Sequence, residues 1–146
     1  MSDACAGTYL RYSGSNGRGS PLSCILVIED DRVVREVVSD VLVYAGYAVA
    51  KAADGVDALD QLHDHPADAI LLDLMMPEMD GWTFLDAISH DADLCSIPVG
   101  IMSAVPALRQ AAREQGVQVT VGKPFAVDEL IAQVECLLAE VPSKDG

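Results

Sequence analysis

Five polar residues each stand at or near the end of a short apolar run in this 146-residue chain: Glu29, Asp30, Asp73, Ser103 and Lys123. Asp73 is the clearest case, because it follows the run 70–72 and precedes a stretch of turn residues. An apolar run bounded in this way is typical of a buried strand. Ionised carboxylates are seldom buried without a partner. The pattern therefore predicts that Asp73 meets other charged groups.

We expect the five side chains to share one pocket, because the carboxyl ends of parallel strands lie at one edge of a sheet. Two like charges 4 Å apart repel by roughly 4 kcal/mol at an effective dielectric of about 20, so Glu29, Asp30 and Asp73 require a counter-charge. Oxygen-rich acidic clusters of this kind bind Mg²⁺. Lys123 adds a fixed positive charge, and Ser103 adds a hydroxyl donor.

This set of groups suits the transfer of a phosphoryl group onto Asp73. An aspartate can act as a nucleophile and form an aspartyl phosphate. Phosphoryl transfer is catalysed mainly by positioning and by neutralising the charge on the equatorial oxygens. A divalent ion, an ammonium group and a hydroxyl around one carboxylate provide both. The residues therefore predict a Mg²⁺-dependent reaction with Asp73 as the acceptor, assisted by Ser103 and Lys123.

Five strand-like runs alternate with five amphipathic stretches along the chain. The predicted strands are 24–28, 47–50, 68–73, 97–102 and 117–121, and the predicted helices are 33–45, 55–64, 82–90, 106–115 and 127–140. Such alternation implies a parallel sheet with helices on both faces. For five β-α units of this size we expect a flavodoxin-like α/β fold, a doubly wound parallel sheet of strand order 2-1-3-4-5.

Composition limits the organisation of the chain and its partners. Residues 1–22 are rich in Gly, Ser and Asn and are predicted to be a flexible N-terminal tail; 23–141 form one domain, and 142–146 a short C-terminal tail. The formal net charge of −14 argues against binding to nucleic acid and to anionic membrane surfaces. No signal peptide is visible. The cysteines lack metal-site spacing, which favours reduced thiols and a cytoplasmic location.

Four blocks of sequence carry a family resemblance: 27–31 (VIEDD), 72–81 (LDLMMPEMDG), 103–104 (SA) and 122–125 (GKPF). In this order and spacing they resemble the receiver domain of two-component response regulators, over about residues 23–141. The resemblance implies a stand-alone, single-domain receiver that accepts a phosphoryl group on Asp73 from a sensor histidine kinase or a histidine phosphotransfer protein. It implies signalling by phosphorylation-dependent partner binding. It also implies no enzymatic activity beyond the chain's own phosphorylation and dephosphorylation.

The resemblance also assigns roles to the acidic residues. Asp30 and Asp73 would bind Mg²⁺ directly, the backbone carbonyl of Met75 would be a third ligand, and Glu29 would assist through water. Asp31 falls one place beyond the acidic pair and is expected to be a helix cap or a surface acid.

On the phosphoryl side, the resemblance implies that Ser103 hydrogen-bonds the phosphoryl group and that Lys123 contacts one of its oxygens. The Lys123–Pro124 bond would be cis. Thr120 departs from the family pattern, because many receivers carry Tyr or Phe three residues before the lysine, an aromatic that turns inward on activation. Two outcomes stay open at this point: a phosphorylation-driven shift of the face formed by the fourth helix, fifth strand and fifth helix, or a weak or differently routed response. A homodimer through that face is a further option.

Met75 and Val105 lie two residues beyond Asp73 and Ser103, where the family's side chains overhang the phosphorylation site. Both are apolar here, so neither can orient an attacking water. This predicts a longer-lived aspartyl phosphate than in receivers with polar residues at both positions.

Three alternatives remain at this point. An aspartate-nucleophile phosphatase of the haloacid dehalogenase type needs a second Asp two residues after the nucleophile, where this chain has Met75. An FMN-binding flavodoxin-like protein needs a phosphate-binding loop after the first strand, where this chain has the acids 29–31. A degenerate receiver would act as a constitutive interaction module without phosphorylation. The intact set of acids, serine and lysine favours the phosphorylated receiver.

Overall fold

The computed structural model describes residues 23–75 and 80–139, which contain a five-stranded parallel sheet. Its strands are β1 (Cys24–Ile28), β2 (Ala48–Ala52), β3 (Ala69–Asp73), β4 (Val99–Ser103) and β5 (Val119–Gly122). Their spatial order is β2-β1-β3-β4-β5, with every neighbouring pair parallel. The predicted flavodoxin-like fold and strand order are therefore confirmed. The predicted tails 1–22 and 142–146 and residues 76–79 and 140–141 lie outside the described residues.

The strands alternate with five helices, as predicted. They are α1 (Arg32–Tyr44), α2 (Gly55–Asp64), α3 (Gly81–Ser89), α4 (Pro106–Glu114) and α5 (Val127–Ala139). Three of these helices begin at an aspartate whose side chain accepts backbone N–H bonds: Asp31 for α1, Asp54 for α2 and Asp80 for α3. Such caps satisfy donors that the first helical turn leaves unpaired. The expectation that Asp31 caps a helix is confirmed.

The core has two layers, one on each face of the sheet. Alternate residues of a strand point to opposite faces, so Ile25 and Val27 of β1 pack with α1 and α5, whereas Leu26 and Ile28 pack with α2, α3 and α4. The apolar stripe of α5 (Leu130, Val134, Leu137) is fully buried in the layer that contains α1. Both faces are thus covered, which explains the continuous apolar runs of the sequence.

β2 spans Ala48–Ala52 rather than 47–50, and the starts of β4 and β5 differ from the predicted ones for identifiable reasons. β4 begins at Val99 rather than at residue 97, because Pro98 has no N–H to give to a neighbouring strand. β5 begins at Val119 rather than at 117, because the N–H of Val117 donates to the carbonyl of Ala112 and closes the end of α4. A local hydrogen bond at a helix end therefore overrides the β propensity of valine.

Cys24 is disulfide-bonded. The expectation of reduced cysteines is therefore wrong for Cys24, because pairing depends on spatial proximity, which spacing along the chain does not reveal. Cys95 and Cys136 are free and exposed. Within residues 23–75 and 80–139, no helix has the length and apolar character needed to cross a membrane.

Candidate functional site

The register of the sheet brings the predicted residues to one edge. Ile28 lies opposite Leu72, so the residues that follow β1 stand beside Asp73 at the end of β3. Asp73 in turn lies opposite Met102, and Ser103 lies opposite Gly122. The carboxyl ends of β1, β3, β4 and β5 therefore form one rim, which is where open α/β sheets bind ligands.

Glu29, Asp30 and Asp73 form an acidic cluster on this rim. Each offers a carboxylate oxygen, and these oxygens all lie within 4.8 Å of one another. Glu29 and Asp73 are buried, with 1% and 3% of their surfaces exposed, whereas Asp30 is exposed. A cation could therefore reach the cluster from the Asp30 side. The donors are all oxygens and two of them are withdrawn from water, which fits a hard divalent cation such as Mg²⁺.

Lys123 neutralises part of this negative charge. Its ammonium donates to Oε1 of Glu29 at 2.6 Å and lies 3.5 Å from Oδ1 of Asp73. The Lys123–Pro124 peptide bond is cis, as the resemblance implies. Although burial by itself lowers the pKa of Lys123, its hydrogen bond with Glu29 and the charges of Glu29 and Asp73 raise that pKa above its ordinary value. The lysine therefore stays charged.

The crowding of charges shows most clearly in the pKa of Glu29. Burial and, to a smaller extent, the neighbouring Asp73 together raise the pKa of Glu29 to about 7, against the hydrogen bond and charge of Lys123, which lower it. One ammonium group thus does not fully compensate two buried carboxylates. A divalent cation would favour the ionised form of each carboxylate, which is a second reason why the cluster fits one.

Asp73 has its own backbone donor. The N–H of Met75 donates to Oδ1 of Asp73 at 3.2 Å, so the turn after β3 fixes the orientation of the carboxylate. The side chain of Met75 is 62% exposed and that of Val105 is 41% exposed. Both residues therefore present apolar groups at the surface, two residues beyond Asp73 and Ser103.

Ser103 is buried at the end of β4, but its hydroxyl is engaged locally. Its Oγ accepts the N–H of Val105 at 3.0 Å. A hydroxyl that accepts one bond can still donate its own hydrogen. Its carbonyl accepts the N–H of Lys123 at 3.2 Å. The structure thus brings Ser103 to the same rim, with its hydroxyl on the strand-to-helix turn.

Two arginines that the sequence did not indicate donate hydrogen bonds to backbone carbonyls of the site residues. Nη1 of Arg35 donates to the carbonyl of Glu29 at 2.8 Å and contacts the carbonyl of Asp30 at 3.5 Å. Nη1 of Arg109 donates to the carbonyl of Ser103 at 2.6 Å. Each target is a backbone carbonyl six residues or fewer before the arginine, across a strand-to-helix turn. Sequence patterns carry no signal for such contacts.

A cavity of about 420 Å³ flanks the lysine. It is lined by Val33, Val34, Val37, Ala104, Lys123, Pro124 and Phe125. Val33 and Val37 on α1 are also exposed on the surface, at 70% and 47%. An apolar surface therefore lies next to the charged site.

A (βα)₅ parallel sheet of this order, with three acids and a lysine at its carboxyl edge, defines a flavodoxin-like domain with an acidic site at that edge. The chain belongs to the response regulator receiver domain family, whose model matches residues 25–135. It is the receiver domain of a two-component response regulator.

Known proteins support this assignment. Response regulator MprA of Mycobacterium sp. (strain KMS) is 36% identical over 124 residues, which are 84% of this chain and 53% of that protein. The chain thus spans about half the length of the curated relatives that it matches. A putative response regulator from Chloroflexus aurantiacus has a TM-score of 0.77 at 30% identity, over 82% of this chain and 99% of that one. Chemotaxis protein CheY4 of Vibrio cholerae has a TM-score of 0.73 at 28% identity, over 80% of this chain and 98% of that one.

Proposed function

We propose that this domain is a phosphorylation-controlled switch in which Asp73 accepts a phosphoryl group from the phosphohistidine of a sensor histidine kinase or a histidine phosphotransfer protein. The observation that carries the proposal is the shared lysine. Lys123 lies within 3.5 Å of Asp73 and 2.6 Å of Glu29, in a cluster of three carboxylates. Two buried acids around one ammonium group are costly to keep, which favours a functional role over a purely structural one.

In the transfer step, one carboxylate oxygen of Asp73 attacks phosphorus and the bond between phosphorus and the histidine nitrogen breaks. The electron pair of that bond stays on the imidazole, which then takes a proton from water. Lys123 has three N–H donors, so it can keep its bond to Glu29 and give another to a phosphoryl oxygen. Ser103 would donate its hydroxyl hydrogen to a second phosphoryl oxygen.

Asp30, Asp73 and the carbonyl of Met75 would hold Mg²⁺, with Glu29 assisting through water. When bound, the ion would neutralise charge on the phosphoryl oxygens and on the acids. Asp30 is exposed and leaves the cation an aqueous side, which suits an ion that keeps several waters. Arg35 holds the carbonyls of Glu29 and Asp30 and so orients the two acids toward the site.

The output of the domain would be binding of a protein partner that depends on the phosphorylated state. The chain would act on itself alone, through its own phosphorylation and dephosphorylation, and so would not be an enzyme in the usual sense. The net charge of −14 supports protein partners over nucleic acid and membranes. A cytoplasmic location, the domain limits 23–141 and a homodimer through α4, β5 and α5 belong to the same proposal.

A second candidate, a receiver that binds partners without phosphorylation, is favoured by one observation. Thr120 occupies the place of the switch aromatic and is held by Arg113, whose Nη2 donates to Oγ1 of Thr120 at 3.0 Å. The part of the switch that usually moves is therefore replaced by a polar contact.

Acetyl phosphate with Mg²⁺ separates the two candidates. We expect intact-mass spectrometry to show one added phosphoryl group on the wild-type domain and none on Asp73→Asn. Asp40→Asn is the matched control, because Asp40 is an exposed acid on α1 away from the site. Addition to Asp40→Asn but not to Asp73→Asn would support the phosphorylated switch. No addition to the wild type would favour the constitutive module.

A further inference from the structure

The helix α4 has the smallest apolar anchor of the five helices that the structure describes. Only Ala112 of α4 is buried, whereas α1, α2, α3 and α5 each have three buried residues. Its first turn also lacks a side-chain cap, because Val105 stands at the cap position. Burial of apolar surface is what usually fixes a helix against a sheet. Leu108 packs against the core while partly buried, but with one fully buried residue α4 depends more on polar contacts than the other four helices.

The shortest of these contacts comes from Arg109. Its Nη1 donates to the carbonyl of Ser103 at 2.6 Å, in a partly buried position. The same carbonyl accepts the backbone N–H of Lys123 at 3.2 Å. One oxygen atom thus joins α4 to the ends of β4 and β5, directly behind the two residues proposed to contact the phosphoryl group. A hydrogen bond from a charged donor is stronger than a neutral one.

Gly122 leaves the space that this contact requires. A Cβ atom added at Gly122 would lie 3.3 Å from both Cζ and Nη1 of Arg109. The guanidinium therefore packs flat against the backbone of β5, one residue before Lys123. Arg113, one turn further along α4, donates to Thr120 on the same strand. Two arginines thus occupy the interval between α4 and β5 where the family pattern has an inward-turning aromatic.

We propose that Arg109 is a positioning residue that couples Ser103 to α4, in place of the missing aromatic; this inference rests on the proposed phosphorylation of Asp73. When the hydroxyl of Ser103 turns toward the phosphoryl group, it gives up its bond from the N–H of Val105, which releases the turn 103–105 and lets the Ser103 carbonyl within it shift. Arg109 transmits that shift to α4, which has little buried surface to hold it back. Loss of Arg109 would leave phosphoryl binding intact, but α4 would no longer respond to the change at Ser103.

The test uses beryllofluoride with Mg²⁺ as the phosphoryl mimic and two readouts on the same samples. Fluorescence of Trp82, the only tryptophan of the chain, reports binding at the site. Hydrogen exchange of the backbone amides in 104–116 reports the response of α4. In the wild type we expect beryllofluoride to change the exchange rates of this segment. In Arg109→Ala we expect that change to shrink by about tenfold or more, the value of one charge-assisted hydrogen bond.

Three further variants make the result specific. Arg109→Lys keeps one charged donor and should recover part of the α4 response. Arg113→Ala removes a guanidinium from the same helix but leaves the Ser103 contact, and should keep most of the response. Gly122→Ala leaves α4 unchanged in sequence but crowds the guanidinium of Arg109, and should weaken the response in the direction of Arg109→Ala.

The outcomes distinguish the inference from the function on which it rests. Retained beryllofluoride binding with a full α4 response in Arg109→Ala would overturn the role of Arg109 and leave the switch itself standing. An equal loss in Arg113→Ala would also overturn it, because any loosening of α4 would then suffice. Failure of the wild type to bind beryllofluoride would overturn the proposed function and this inference together.

Discussion

The ammonium of Lys123 lies 2.6 Å from Glu29 and 3.5 Å from Asp73, so the lysine is shared unequally between two buried acids. In this state it is held mainly by Glu29. A phosphoryl group on Asp73 would offer the lysine new oxygens without requiring it to leave Glu29. The closer partner thus fixes the position from which Lys123 acts.

Removing the charge of Lys123 should destabilise the metal-free domain strongly. Lys123→Met keeps the apolar stem but leaves Glu29 and Asp73 facing each other without a cation. Loss of one partner from a buried ion pair costs about 3–5 kcal/mol, and we expect a decrease in this range in the free energy of urea unfolding in EDTA. Mg²⁺ should restore part of it.

Lys51→Met is the matched control for this variant. Lys51 pairs with Glu36 at 3.2 Å, and both side chains are more than two-fifths exposed. Exposed pairs contribute about 1 kcal/mol or less. Equal effects of the two substitutions would show that the Lys123 cluster is no different from a surface ion pair.

Neutralising Glu29 should weaken the binding of Mg²⁺. Glu29→Gln keeps the shape of the side chain and an acceptor for Lys123, but removes the charge that would hold a metal-bound water. Such supporting residues typically contribute a factor of about 10–100 in metal affinity. Calorimetric titration with Mg²⁺ measures the change, with Glu36→Gln on the surface as the control. Unchanged affinity in Glu29→Gln would remove Glu29 from the metal site.

Met75 should protect the aspartyl phosphate from water. In Met75→Asn, an amide would replace the exposed thioether two residues beyond Asp73, and it could orient an attacking water. A single such hydrogen bond predicts phosphoryl loss about threefold to tenfold faster than in the wild type. Val56→Asn, an equivalent change on the exposed surface of α2, is the control. Unchanged or slower loss in Met75→Asn would count against this role.

Gly81 should be intolerant of a side chain. A Cβ at this position would lie 2.7 Å from Cα of Leu74 and 3.1 Å from the carbonyl oxygen of Asp73. Both are backbone atoms and cannot rotate away. We expect Gly81→Ala to lower the free energy of unfolding by about 1–3 kcal/mol and to slow phosphorylation by displacing Asp73. Chemical denaturation and acetyl phosphate labelling test both effects, and a variant equal to the wild type in each would refute this packing argument.

The pair His63–Asp91, which lies away from the site, should make the stability of the fold depend on pH. Nε2 of His63 lies 2.9 Å from Oδ2 of Asp91, and this hydrogen bond raises the pKa of His63 above 6.5. A raised histidine pKa stabilises the fold fully below the unfolded value, and that contribution is lost as pH rises through the folded value. The difference in unfolding free energy between wild type and His63→Asn should therefore shrink from pH 6 to pH 8 (roughly the histidine range). A constant difference would contradict the ion pair.

Much of the fold and most of the site follow from the sequence because two simple rules apply to it. Apolar runs that alternate with amphipathic stretches predict the parallel sheet, and the shared edge of such a sheet predicts that Glu29, Asp73 and Lys123 meet. Because the acids and the lysine are charged, their predicted proximity is enough to indicate a cation-binding site.

The supporting contacts could not be predicted in the same way. Arg35 and Arg109 donate to backbone carbonyls, which every residue possesses, so no pattern of side chains indicates them. The hydroxyl of Ser103 is committed to the N–H of Val105 because of the local turn geometry. The start of β5 depends on a helix-closing bond at Val117. Each of these features is decided by three-dimensional placement rather than by residue type.

The most direct measurement is the phosphorylation of the purified domain by acetyl phosphate, with and without Mg²⁺, followed by peptide mapping of the modified residue. The account predicts one phosphoryl group on Asp73, formed only when Mg²⁺ is present and absent in Asp73→Asn. Modification at another residue, or equal modification in EDTA, would contradict it.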